Sequence, residues 1–187
     1  MDIQLQKKFT NCIDFEHSVF LTEPYIEHLM SRYGFRLEEK KKYLPDHSIF
    51  YAYIKYKNIP IVNIPNDAYS HNKEIFLDYI NYYSNKIIPD INLRLDEMKE
   101  QHVFLFGASA FSQYLIGFGL NIENIICILD NDTVKHDKRL YGTNLKVESP
   151  NILGNYKNPI VILKAGAYDD EIRKDIINNI NKNTVFI

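Results

Sequence analysis

Val103-Phe104-Leu105-Phe106-Gly107-Ala108-Ser109, a helical stretch from about Ala110, and then Ile125-Ile126-Cys127-Ile128-Leu129-Asp130-Asn131-Asp132 together decide the fold. Four large apolar residues in a row form a short strand buried on both faces. Gly107-Ala108-Ser109 then turns the backbone sharply into a helix, and a second apolar strand ends in acidic residues. Strand, small-residue turn, helix and strand make half of a nucleotide-binding fold, in which a phosphate rests on the helix N-terminus beyond the turn. Gly107 stands alone where a dinucleotide fingerprint has three glycines, and no basic residue follows within the turn. Phosphate binding at Gly107, Ala108 and Ser109 and a plain strand-to-helix connection are therefore both open.

Downstream the alternation continues. A short strand is expected near Leu145-Lys146-Val147, a buried one at Pro159-Ile160-Val161-Ile162-Leu163, an amphipathic helix from Asp169 to Ile180, and a last strand at Thr184-Val185-Phe186-Ile187. Strands alternating with helices imply parallel βαβ units and a small Rossmann-like sheet. Asp130 and Asp132 then fall at the carboxyl edge, where acidic groups can hydrogen-bond ribose or sugar hydroxyls, although Asp-Asn-Asp also favours turns for local reasons. Lys164 and Tyr168 follow the next long strand and can line the same crevice, or serve structure or face solvent.

Upstream, the segment from about Asn72 to Lys99 has a helical period through Phe76, Tyr79, Ile80, Tyr83, Ile87, Ile91, Leu95 and Met98, broken by Pro89, which removes a hydrogen bond and kinks or splits the helix. Tyr79, Tyr82 and Tyr83 read as packing. Asn58 to His71, with Pro60 and Pro65, reads as an extended connector. Before it, Thr22 caps a helix with Pro24 in its first turn, an apolar stripe at Ile26, Leu29, Met30 and Tyr33, and Gly34 as its stop. Strands from Phe35 to about Tyr43 and from Ile49 to Tyr56, joined by Leu44-Pro45-Asp46-His47-Ser48, should pair antiparallel. So small an assembly buries too little by itself. The expected fold class is α/β: a partial α+β lobe at 1–58, a connector at 59–71, and a Rossmann-like domain at 72–187 led by a long helix.

The composition is that of an ordinary soluble protein: 187 residues, 45% hydrophobic and 25% charged, with a formal net charge of -2. That charge gives no electrostatic reason to expect nucleic acid, and Lys40-Lys41-Lys42 reads as a solvated loop. Two isolated cysteines, Cys12 and Cys127, support neither a zinc site nor a disulfide, which suits a reducing cytoplasm. The amino terminus lacks a signal-peptide core, and no run approaches the ~20 apolar residues of a membrane span. Fourteen tyrosines beside many Asn, Ile and Lys suggest a coding bias before a function. His47 and His71 are placed in loops and His102 before a strand, with no metal-site spacing, so no metal is assigned. No Walker loop, Gly-x-Ser-x-Gly elbow or cysteine nucleophile signature appears.

Two stretches carry a resemblance. Asp14-Phe15-Glu16-His17 with Phe20, the capped helix, Gly34-Phe35 and the strand through Tyr51 to Ile54 resembles the end of the catalytic domain of SAM-dependent sugar C-methyltransferases. Phe106-Gly107-Ala108, Ile128-Leu129-Asp130-Asn131-Asp132, Tyr141-Gly142-Thr143, Pro150 and the run from Ile162 to Tyr168 resemble that family's carboxy-terminal Rossmann-like domain, in the right order. The resemblance implies methyl transfer to a carbon of a nucleotide-linked keto-deoxysugar, after loss of the proton next to the ketone. Glu16 and His17 match the family's pair, in which the histidine takes that proton and the carboxylate orients it. As an exposed polar pair at a strand end they would do neither. Asp14 stands where the family commonly has an aromatic hydroxyl.

A SAM site needs its own strand, glycine-rich turn and helix, with an acidic residue for the ribose. Only 15 residues precede Glu16, and Gly107-Ala108-Ser109 belongs by resemblance to the other domain. The expectation is therefore a carboxy-terminal part, a split enzyme or a changed relative, with S-adenosylmethionine bound only if another lobe or partner supplies the site. Methyl transfer by this chain alone is not expected. The alternatives are a non-catalytic nucleotide-sugar-binding or assembly module, and a small nucleotide-sugar-modifying enzyme that does not use SAM. Exposed apolar surface on the first lobe would favour self-association or a companion subunit.

Overall fold

The apolar strands that dominate the sequence reading pair with one another in the computed structural model, which describes residues 2–10, 12–13, 19–43, 49–98 and 100–187. Glu16, His17, Asp14, His47 and the expected turn at 44–48 lie outside the described residues. The chain divides into two compact units, Met1–Lys8 with Cys12–Tyr79, and Phe9–Asn11 with Ile80–Ile187.

The first unit contains α1 (Asp2–Gln6), α2 (Glu23–Arg32), β1 (Phe35–Lys42), β2 (Ile49–Lys55) and most of α3 (Ala68–Tyr82). β1 and β2 pair antiparallel from Phe35 opposite Lys55 to Lys42 opposite Ile49, with a register shift between Leu37 and Glu39. Thr22 holds the N-cap position of α2 in extended conformation, but its side chain makes no cap bond. Instead its hydroxyl accepts from Asn72 Nδ2 at 3.3 Å. The stripe on α2 is only partly covered, with Tyr33 72% exposed, and Phe50 and Ile54 stand on the open face of the ribbon.

The extended connector lies along α2: Val62 N–H donates to Ser31 Oγ at 2.9 Å, and His28 Nδ1 meets the Val62 carbonyl at 2.7 Å. α3 starts at Ala68, four residues before the expected start near Asn72, because the Pro65 carbonyl already accepts the Ala68 N–H and the Asp67 carbonyl the His71 N–H. His71 is thus helical and not in a loop. The division between units falls within α3, at Tyr79/Ile80, whereas the sequence reading set it in the connector.

The second unit carries α4 (Ile88–Glu97), β3 (Val103–Phe106), α5 (Ala110–Gly117), β4 (Ile125–Leu129), β5 (Val147–Glu148), β6 (Ile160–Ile162), α6 (Asp169–Asp175) and β7 (Val185–Phe186). Between α3 and α4, Tyr83–Ile87 forms a π-helical turn closed by the Ile88 N–H on the Tyr83 carbonyl. Pro89 explains it: with no N–H to reach the carbonyl four residues back, the ladder widens here while the helix continues. The aromatic positions pack as expected, Tyr83 meeting Tyr114 edge-on at 5.2 Å between centroids.

All pairings in the five-stranded sheet are parallel, in the order β5-β4-β3-β6-β7. On one face Phe104, Phe106, Cys127, Leu129, Val161 and Leu163 gather with Leu153 and Ile176 in the core. The alternate residues Val103, Leu105, Ile128, Ile160 and Ile162 are equally buried. A sheet covered on both faces requires such unbroken apolar strands, and the unit is a Rossmann-like α/β domain. Among the described residues no helix is long and apolar enough to cross a membrane.

Candidate functional site

In chain order the strands of the second unit run third, second, first, fourth, fifth across the sheet, so the direction of winding reverses between β3 and β6. Ligands of open parallel sheets bind outside the carboxyl ends of the strands at such a reversal. Gly107 follows β3, Asp130 follows β4 and Lys164 follows β6 by two residues, so this edge gathers the residues singled out in the sequence.

The lip after β3 is closed by the chain itself. Gly107 has φ +100°, its N–H donates to the Leu129 carbonyl at 2.7 Å, and its carbonyl accepts the Ser109 N–H at 2.8 Å. The positive φ is what calls for glycine here, and a Cβ would in addition press on the Phe111 ring at 3.2 Å. The Ala108 N–H, the donor a bound phosphate would seek, points to Asp130 Oδ2 at 2.7 Å. Asp130 is 8% exposed and also accepts from the Asp132 N–H at 2.9 Å and Lys135 Nζ at 3.0 Å. His136 Nε2 meets the Asp130 carbonyl at 2.8 Å. Asp132 caps a short turn through the Val134 N–H at 3.0 Å, and Ser109 stands at the N-cap of α5 without a side-chain cap bond.

The lip after β6 is built differently. Lys164 is half-buried, and among the described residues no hydrogen bond or ion pair reaches its ammonium group. Burial pushes its pKa down; Asp169 and Asp90 oppose that shift, while Arg173 and Arg94 add to it. Asp169 Oδ1 accepts the Ala165 N–H at 2.5 Å, and burial pushes this carboxyl up against the effects of that bond and of Lys164. Thr10, 1% exposed, donates its hydroxyl to the Lys164 carbonyl at 2.5 Å. Next to it, Phe9 lies so close to Gly166 (φ +65°) that a Cβ there would be 3.1 Å from the ring. Tyr168 is 45% exposed on the same turn.

Phe9, Thr10, Lys135 and Asp169 were not found from sequence. Phe9 and Thr10 lie some 150 residues from their partners, with no periodic pattern around them. Asp169, a carboxylate four residues beyond Ala165 in a turn, carried a readable signal. Cys127 is 4% exposed in β4, and burial, with a smaller effect of Glu148, pushes its thiol up to about 12, which disfavours the thiolate.

The first unit has an open cleft of about 500 Å³ between α2, the connector and the start of α3, with Glu27, Asp67 and His71 among its lining residues. Among the described residues no group of His, Cys, Asp or Glu is arranged to hold a metal ion. No family model matches this chain, and no curated protein matches it.

Proposed function

We propose that this chain is the substrate-holding, carboxy-terminal part of a SAM-dependent sugar C-methyltransferase, and that it takes a nucleotide-linked deoxysugar at the carboxyl edge of its parallel sheet. The observation that carries the reading is the reversal of winding between β3 and β6, with Gly107, Asp130 and Lys164 at the ends of three adjacent strands. The methyl donor binds on another lobe or partner. Asp130, which the sequence assigns to ribose hydroxyls, already accepts from the Ala108 N–H, the Asp132 N–H and Lys135 Nζ, so the part of this edge open to a ligand is the side of Lys164. Phe50 and Ile54 give the first unit the open apolar surface that suits a companion. Glu16 and His17 act in the completed enzyme as orienting carboxylate and base toward the proton beside the sugar ketone.

Calorimetric titration of the purified chain with nucleotide-sugars, S-adenosylmethionine and S-adenosylhomocysteine tests this reading. Binding of a nucleotide-sugar without either SAM ligand is expected. SAM binding by the chain alone would move the cofactor site into it, and silence toward every nucleotide-sugar would remove the substrate-holding role. The internally closed Gly107 turn also suits a second reading, a binding module with no catalytic step. That reading gains if a nucleotide-sugar binds and a keto-sugar ligand shows no Glu16- and His17-dependent exchange of its proton with deuterated solvent in the presence of a SAM-binding partner.

A further inference from the structure

We infer that a phosphate-bearing ligand places its anionic group on the β6 side of the crevice, against the Lys164 ammonium, and not on the Gly107 turn. This deepens the proposed function, on which its assignment to a nucleotide diphosphate rests.

At the first lip the place of a phosphate is filled. The Ala108 N–H is bonded to Asp130 Oδ2 at 2.7 Å, and Asp130 is almost fully buried with Lys135 Nζ on the same oxygen at 3.0 Å. A phosphate entering there would meet a carboxylate in place of an open donor, a like-charge encounter in a partly desolvated setting. The strand–glycine–helix shape persists, but the anion it holds is the chain's own.

At the second lip a cation has no hydrogen-bonded or ion-paired partner among the described residues. Lys164 is half-buried, and among the described residues no hydrogen bond or ion pair reaches its ammonium group. An ammonium taken from water without a partner is an unfavourable arrangement, and a bound anion would relieve it. The charged groups that act on it are Asp169 and Arg173 from α6 and Asp90 and Arg94 from α4; Phe9 and Thr10, on the remaining side, do not titrate. These groups are largely engaged: Asp169 with the Ala165 N–H at 2.5 Å, Arg94 with Asp90 at 3.1 Å, and Arg173 over the Phe186 ring at 4.4 Å. Their balance leaves Lys164 as the cation with an open valence for a ligand, with Arg94 and Arg173 adding positive potential. The Thr10 hydroxyl on the Lys164 carbonyl and the Phe9 ring against Gly166 fix the backbone of this lip, which makes Thr10 a positioning residue.

The test titrates the full chain with inorganic diphosphate, by calorimetry and by amide chemical shifts. Wild type is expected to bind with shifts centred on 164–169. K164M should bind about tenfold more weakly or worse, and K164R, which keeps the charge, within about threefold of wild type. Thermal unfolding confirms that both variants fold. Unchanged binding by K164M, shifts centred on 107–109, or no diphosphate binding by wild type would each overturn the inference. Nucleotide-sugar binding indifferent to Lys164 would overturn it and leave the proposed function standing. Diphosphate binding through Lys164 without any nucleotide-sugar binding would uphold the anion site and end the proposed function.

Discussion

Asp130 and Lys164 are opposite cases of a charge brought out of water. Asp130 has a donor for each oxygen, so removing it strands them: D130A should lower stability by about 1–3 kcal/mol through the orphaned Ala108 N–H and the unpaired Lys135, and D130N, which keeps one acceptor, by less. Urea denaturation midpoints of the two variants check this; equal and negligible losses would mean that the Gly107 turn does not depend on the carboxylate. Lys164 works the other way. Its folded pKa lies below that of an unfolded lysine, so the charged form is disfavoured by folding. The penalty is complete below the folded pKa and vanishes above the unfolded value of about 10.4, so this group raises stability as pH climbs between the two. K164M should therefore be at least as stable as wild type at neutral pH, and its advantage should shrink as pH climbs toward 10. A K164M variant less stable than wild type at pH 7 would mean that the ammonium has a stabilising partner.

At the scale of elements, legibility followed the range of the interaction. The apolar run 103–106, the strand 125–129 and the parallel sheet were readable because burial on both faces dictates the residues directly. Pro89 announced the disturbance of the helix through its missing N–H, though the π-helical turn that lets the helix continue left no mark of its own. Pro65-Asn66-Asp67 misled, since the same residues that begin a connector also begin a helix. Of the candidate site, the carboxyl-edge positions Gly107, Asp130 and Lys164 could be read from strand ends, whereas the contact of Phe9 and Thr10 with the 164–166 turn depends on tertiary folding alone. That contact makes a specific prediction. G166A adds a Cβ at φ +65° against the Phe9 ring and should destabilise by more than about 1 kcal/mol. In the F9A background the steric part disappears and only the backbone strain remains, giving a coupling of about 0.5 kcal/mol or more in a double-mutant cycle. Additive losses would show that Phe9 does not rest on this turn in solution.

At the scale of the whole molecule, the two units differ in what holds them. The second has a sheet covered on both faces; the first has a two-stranded ribbon and helices whose described buried hydrophobic residues are Leu5, Cys12, Ala68 and Tyr79. Ribbons of two strands are marginal without further packing, so the first unit is expected to open at lower denaturant than the second. The chain carries its own reporters, since neither cysteine is in a disulfide, Cys12 belongs to the first unit and Cys127 sits in the middle of β4. With its thiol pushed up to about 12 and 4% of its surface exposed, Cys127 is protonated and shielded at neutral pH, so alkylation must wait for the sheet to open. Iodoacetamide labelling across a urea series, read by peptide mass spectrometry, should show Cys12 modified at lower urea than Cys127, with Cys127 following the loss of the parallel sheet. A companion that covers the open face bearing Phe50 and Ile54 would move the Cys12 transition toward that of Cys127, because binding to the folded unit alone raises its apparent stability. Simultaneous labelling of the isolated chain at both positions would mean that the first unit already has its full complement of packing, and would count against a companion on that face.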